Sequence, residues 1–158
     1  MNMSKKAYQA EFGSGKRFAK ARLPNQPVSL KYSTELCREI KGKRLDKMVK
    51  WIERIIMHED WLPLRRYVKK IGHRKGQSKS FTKTGRYPEK TLGIWKKMLE
   101  TVKANADYKG LDSENLMIVH AFASQGYARM GYQSQGRIAG KRRAKKAVHL
   151  EVVVREAK

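Results

Sequence analysis

Apolar residues recur at helical spacing in two stretches of the chain. Leu45, Met48, Val49, Ile52, Ile55 and Ile56 share one helical face, with Lys47, Lys50 and Arg54 elsewhere around it. Leu92, Trp95, Met98, Leu99, Val102 and Ala106 do the same further on, away from Lys90, Lys96, Lys97 and Lys103. Pro88 is placed to open that helix, because its missing N–H is harmless at the first helical position. A shorter helix is predicted before both, with Ser33 or Thr34 as its cap and Gly42 just past its end.

Period-two alternation predicts strands. Val148, Leu150, Val152 and Val154 alternate with His149, Glu151 and Arg155, residues 116–124 are also strand-like, and residues 28–32 are a third candidate. Between the last two strands Gly126, Gly131, Gly136 and Gly140, with Tyr127 and Tyr132, form a stretch no helix would keep. The pattern predicts one long hairpin with an extension at about 125–146 that has no apolar core. Each arm of it would project roughly 30 Å at about 3.3 Å per residue. An isolated two-stranded ribbon is marginal in water, so it must pack into something else. Residues 61–87 lose the apolar period and read as a long loop needing a partner, and residues 1–26, broken by Gly13, Gly15 and Pro24, read as an extended basic N-terminal arm. The expected fold class is α+β: three helices packed on a small antiparallel sheet, with a long protruding β-hairpin and basic extended segments. At 158 residues one domain is the prior, here 27–158.

Charge turns this architecture into a statement about partners. There are 37 Lys and Arg against 14 Asp and Glu, a formal charge of +23. A domain of this size ordinarily carries about 2 to 8. Such an excess repels itself unless a polyanion neutralises it, and nucleic acid does so by releasing condensed counterions. The charge is also segregated. The arm carries Lys16, Arg17, Lys20 and Arg22. The 61–87 loop carries Arg65, Arg66, Lys69, Lys70, Arg74, Lys75, Lys79, Lys83 and Arg86 with no acid. The hairpin carries Arg129, Arg137, Lys141, Arg142, Arg143, Lys145 and Lys146, and no acid occurs from Asn115 to Leu150. A single run of this kind is usually a solvated face; three in one chain, two of them in loops, point to nucleic-acid contact. Tyr127 and Tyr132 are open to two readings, stacking on splayed bases or cross-strand packing.

Other classes fit less well. A membrane-surface protein would show a basic amphipathic helix or a lipid anchor, and neither is present. The longest apolar runs are too short to cross a bilayer, and residues 1–25 lack the apolar stretch of a signal peptide. They are basic and acid-poor, as transit peptides are, but without an arginine-rich amphipathic face. One cysteine, Cys37, excludes an internal disulfide, fits a reducing compartment and reads as a small buried residue. No glycine pattern of the phosphate-loop or dinucleotide type lies between a strand and a helix. His58, Glu59 and Asp60 are adjacent at a helix end and read as surface residues, since neighbours in sequence diverge on a helix. His120 and His149 lie in strands that pair and could come near one another, but a metal pair would lack further ligands, so packing or a hydrogen bond to phosphate is the better reading of both. Trp51, Trp61 and Trp95 are expected in the core or an interface, with partners for their N–H groups. No catalytic residue, metal site or cofactor is expected.

With this order of elements in view, the chain resembles the universal large-subunit ribosomal protein family L-twenty-two. Residues 33–43, ending in Ile40-Lys41-Gly42-Lys43, look like its first helix with the basic-glycine-basic ending. Residues 99–106, ending in Asn105-Ala106, look like another family segment, and Gly136-Arg137-Ile138-Ala139-Gly140-Lys141 like its hairpin return before a last strand at 149–154. The 61–87 loop and residues 109–112 resemble the archaeal and eukaryotic branch. The resemblance implies a non-enzymatic, cytoplasmic, structural constituent of the large ribosomal subunit. Its expected partners are large-subunit rRNA, neighbouring large-subunit ribosomal proteins and the nascent peptide, with no membrane and no DNA. It also implies that the hairpin tip, Met130, Gly131, Tyr132, Gln133, Ser134, Gln135, Gly136 and Arg137, lines the nascent-peptide exit tunnel. Two rival classes remain at this point: an architectural protein on duplex DNA, which should show a dimer or repeated unit, and a nucleic-acid enzyme, which should gather carboxylates or metal ligands in a cleft.

Overall fold

A computed structural model of the chain describes residues 8–10, 17–76 and 82–157. The element order is β1 (Phe18–Gln26), α1 (Leu30–Ile40), α2 (Leu45–Ile56), β2 (Leu62–Pro63), β3 (Gly85–Arg86), α3 (Glu89–Tyr108), a 3-10 turn (Ser113–Asn115), β4 (Leu116–Tyr132) and β5 (Arg142–Glu156). The main sheet is antiparallel with order β1-β5-β4, and the three helices cover one face of it. The fold is the expected α+β arrangement, three helices on a small antiparallel sheet with a long β4–β5 hairpin.

The apolar period explains which faces are buried. All six stripe residues of α3 are buried, and α2 buries Leu45, Met48, Trp51, Ile52 and Ile55, with Val49 and Ile56 partly covered. On β5 the residues Leu150, Val152 and Val154 face the helices, opposite Leu23, Ala21 and Ala19 of β1 and Ala123, Ala121 and Ile118 of β4. The indole N–H groups are all satisfied. Trp95 donates to Ser33 Oγ at 3.2 Å, Trp51 to Asp60 Oδ2 at 3.0 Å and Trp61 to the Thr82 carbonyl at 2.9 Å.

Several expectations are corrected. Residues 28–32 are not a strand: Val28 precedes the cap Ser29, whose Oγ accepts from the Tyr32 amide, and α1 begins at Leu30 rather than after Ser33 or Thr34. The third strand is β1, formed by residues 18–26, within the segment read as an arm. Asp60 is not a surface residue: it is buried, and Oδ1 also accepts from the Trp61 amide at 2.8 Å. The residues His120 and His149 are not brought together either, since His120 pairs with Val153 and His149 with Ser124.

The end of α1 shows why the basic-glycine-basic ending matters physically. Gly42 has φ +76, a left-handed conformation suited to glycine just past a helix. That turn lets the Gly42 amide donate to the Ile118 carbonyl at 2.8 Å and the Lys43 carbonyl accept from Ile118 at 2.9 Å, tying α1 to β4. Cys37 lies on this helix and is buried, which pushes its thiol up to about 12. The reactive thiolate is therefore scarce at neutral pH. A disulfide reagent should label Cys37 only slowly in the native protein and at once in denaturant; fast native labelling would place it at the surface.

Candidate nucleic-acid interface

The hairpin extension begins where the core stops. The buried cluster contains Ala123 on β4 and Val148 on β5, and nothing between them in sequence. β1 ends at the same level, with Gln26 paired to Val148. The base is tightly closed. A bulge interrupts β4 between Gln125 and Ala128, and a side chain at Gly126 would bring its Cβ within 2.6 Å of Asn25 Oδ1. The Asn25 amide donates to His149 Nδ1 at 3.1 Å. Beyond this point the ladder runs from Ala128–Lys146 to Tyr132–Arg142. From Gln125 to Tyr132 it reaches about 23 Å at roughly 3.3 Å per residue.

Residues directly opposite in an antiparallel pair point to the same face. One face of the ribbon therefore carries Ala128, Met130 and Tyr132 with Lys146, Ala144 and Arg142; the other carries Arg129 and Gly131 with Lys145 and Arg143. Neither face is apolar, and Arg129 stands opposite Lys145, a like-charge pair that destabilises the isolated ribbon. Tyr127 accepts a hydrogen bond from Arg129 Nε at 3.0 Å, and both Tyr127 and Tyr132 are exposed rather than packed in the core. At the tip the chain turns through residues 133–141, with Gly136 and Gly140 at positive φ, and Met130, Tyr132, Arg137 and Ile138 are exposed.

The 61–87 loop is less free than its composition predicts. Trp61, Leu62 and Leu64 are buried, β2 pairs with β3, and Gly85 lies so close to the Trp61 indole that any side chain there would collide with it. The return strand is held by the Arg74 amide donating to the Lys83 carbonyl at 2.7 Å and by Arg74 Nε donating to the Gly85 carbonyl at 3.1 Å. The other anchor is a carboxylate. Glu35 of α1 is buried, and its Oε1 accepts from the backbone amides of Arg65, Arg66 and Tyr67 at 3.2, 2.7 and 2.9 Å. Neither this anchor nor Lys31 and Tyr67, which flank the same segment, stood out in the sequence. Glu35 meets main chain some thirty positions away and Lys31 meets the Tyr67 ring, contacts that no local pattern records.

The basic residues singled out in the sequence differ in the contacts they already make, Arg66 over the Tyr67 ring and Arg129 bonded to Tyr127 among them. Some have intramolecular partners: Arg22 lies 3.8 Å from Glu151, Arg65 lies 3.1 Å from Glu39, and Arg74 sits over the Tyr87 ring. The Lys20 ammonium is 5.9 Å from the Tyr8 ring centre. Among the described residues, no ion pair holds Arg17, Arg66, Lys69, Lys70, Lys75, Lys83, Arg86, Arg129, Arg137, Lys141, Arg142, Arg143, Lys145 or Lys146. Lys16 and Lys79 lie outside the described residues. On the helical side Lys96 pairs with Glu53 at 2.9 Å, Lys103 with Asp46 at 2.9 Å and Lys43 with Glu39 at 3.9 Å, while Lys47, Lys50, Lys90 and Lys97 have no ion pair among the described residues. What sets the loop and the hairpin apart is that their cations have no acid in the same stretch of chain, whereas the helices carry Glu39, Asp46, Glu53 and Glu100 among theirs. No group of His, Cys, Asp and Glu able to hold a metal ion occurs among the described residues, and none of their helices is long and apolar enough to cross a membrane.

Comparison with known proteins agrees with this architecture. A family model described as ribosomal protein L22p/L17e matches residues 21–155. The chain is 43% identical over 108 residues to the large ribosomal subunit protein uL22 of Archaeoglobus fulgidus, covering 68% of each chain. It is 35% identical over 154 residues to that of Methanocaldococcus jannaschii, covering 98% of this chain and 97% of the relative. It is 37% identical over 139 residues to that of Ignicoccus hospitalis, covering 87% of each. The match runs through the helices, the loop and the hairpin alike, and the chain belongs to the ribosomal protein L22p/L17e family, in its archaeal type, as a structural rather than enzymatic component of the large ribosomal subunit.

Proposed function

We propose that this chain binds large-subunit ribosomal RNA through its basic loop and hairpin, and that the hairpin tip, residues 130–137, lines the nascent-peptide exit tunnel. The observation that carries the RNA reading is the hairpin itself. It projects from the core with no apolar face of its own, sets Arg129 against Lys145, and has no carboxylate from Asn115 to Leu150 to neutralise it. A phosphate backbone supplies what the ribbon lacks, because each contact releases counterions and relieves like-charge repulsion. The tunnel placement rests on the family together with the reach and glycine-rich turn of the tip. The N-terminal segment 1–26, whose residues 18–26 form β1, adds a third basic tract, and neighbouring large-subunit proteins complete the surroundings, in the cytoplasm where the subunit works.

Affinity of the full chain for large-subunit rRNA should fall steeply with salt. The slope of log affinity against log salt is expected to be roughly −0.7 to −0.9 for each phosphate contacted, summed over many contacts. Filter binding across a salt series measures it. A slope equivalent to one or two contacts would remove the charge argument.

A further inference from the structure

Beside the start of α1 the structure holds a pocket of about 490 Å³ whose wall includes Lys31, Arg66, Tyr67, Lys69, Lys70 and Arg86. Among the described residues no carboxylate lines it, and none of its five cations has an ion pair. This separates it from the larger groove of about 830 Å³ along α1 and α2, where Glu39, Glu53 and Glu59 stand among the lysines. We infer that the smaller pocket holds one unstacked nucleotide of a single-stranded RNA segment, with its flanking phosphates on the cations and its base against Tyr67. This inference rests on the RNA-binding reading above and adds a ligand class to it.

Size, charge and rigidity converge on that ligand. A volume near 490 Å³ falls in the range of roughly 300–1,000 Å³ typical of small-molecule sites, too large for a lone oxyanion. Five cations without an acid call for several negative charges, and a strand brings one at each nucleotide. Tyr67 gives an aromatic surface inside the cationic wall: Lys31 Nζ and Arg66 Cζ lie 5.5 and 5.7 Å from its ring centre. Duplex RNA buries its bases and offers only backbone, so an aromatic ring in the wall is of use to an unpaired base. The wall is preformed, because Glu35 fixes the backbone of Arg66 and Tyr67 from below. Lys70 adds a separate sign. It holds φ +59, a left-handed conformation that costs a lysine and suits a glycine, and strain of this kind is typical of ligand clamps.

The test uses the full chain, a fluorescent single-stranded RNA oligonucleotide and a blunt RNA duplex, read by anisotropy. Tyr67→Leu keeps apolar bulk and should weaken the single strand by about tenfold while leaving the duplex little changed. Lys70→Gly relaxes the backbone, so it should melt no lower than the wild type, yet lose affinity and reduce the salt slope by about 0.7. Equal losses for single strand and duplex would overturn the nucleotide pocket in favour of plain charge attraction. So would a polyglutamate peptide that displaces the single strand and whose own binding needs Tyr67, since that identifies an acidic-protein site. Unchanged single-strand binding in both variants overturns the pocket alone, provided Arg142→Gln with Arg143→Gln still loses RNA. If the wild type binds neither RNA, the RNA-binding reading itself fails.

Discussion

Replacing Glu35 by alanine should lower stability by about 3 kcal/mol, because one buried carboxylate oxygen accepts three backbone amides. Hydrogen bonds to a charged group contribute roughly 1.5–3 kcal/mol each, and the three amides lie at a partly exposed loop start where water recovers some of the loss. For a chain of this length the thermal midpoint should drop by roughly 6–12 °C. Glu35→Gln keeps a carbonyl oxygen at the same place and should lose less than half as much. Calorimetry of the three proteins measures this, and amide exchange at Arg65, Arg66 and Tyr67 should accelerate in the alanine variant. A loss below about 1 kcal/mol would mean that the loop is held by Trp61, Leu62 and Leu64 rather than by the carboxylate. Pocket and stability are coupled here: the group that keeps the loop folded also keeps Tyr67 in place for a ligand.

That coupling explains how far the sequence could be read. The helix face of α3 was legible because its apolar stripe runs unbroken from Leu92 to Ala106 and a proline precedes the helix. β5 was legible because Val148, Leu150, Val152 and Val154 alternate along it, and the hairpin because glycine and arginine replace alternation without any acid. β1 was not. Its inward residues are Ala19, Ala21 and Leu23, two of them too small to give a strong period, and Arg22 and Lys20 drew attention to charge instead. The start of α1 was misplaced for a related reason. Ser33 looks like a cap, but its hydroxyl is buried and accepts from Trp95 across the core; Ser29 does the capping. In the candidate interface, composition showed the cations only as tracts and said nothing of which were already paired. Arg65 and Arg22 meet Glu39 and Glu151 through tertiary contacts, and the Glu35 anchor joins a helix side chain to main chain far along the sequence. Long-range pairing of this kind has no periodicity, so only the folded chain reveals it.

Removing residues 132–140 and closing the ribbon with a two-residue turn should leave the core's thermal midpoint nearly unchanged. The physical reason is that the core cluster skips from Ala123 to Val148, so the deleted segment contributes no buried apolar side chain. Its backbone bonds are local to the turn, such as Gly140 to the Gln133 carbonyl at 2.8 Å and Gln133 to the Lys141 carbonyl at 2.9 Å, and a tight turn replaces them. The like-charge pairs nearer the base, Arg129 with Lys145, remain, as does the 61–87 loop, so docking on the subunit should survive. The change should appear at the tip's far end. Nascent chains stalled on ribosomes carrying the shortened protein should lose their crosslinks to it, or shift them toward the ribbon base. An unfolded variant would show that the tip belongs to the folding unit, against the position of every buried residue. A variant that folds, docks and crosslinks as before would leave the RNA-binding role intact and remove the tunnel assignment, because a tip that lines the tunnel cannot be deleted without moving the wall the nascent chain touches.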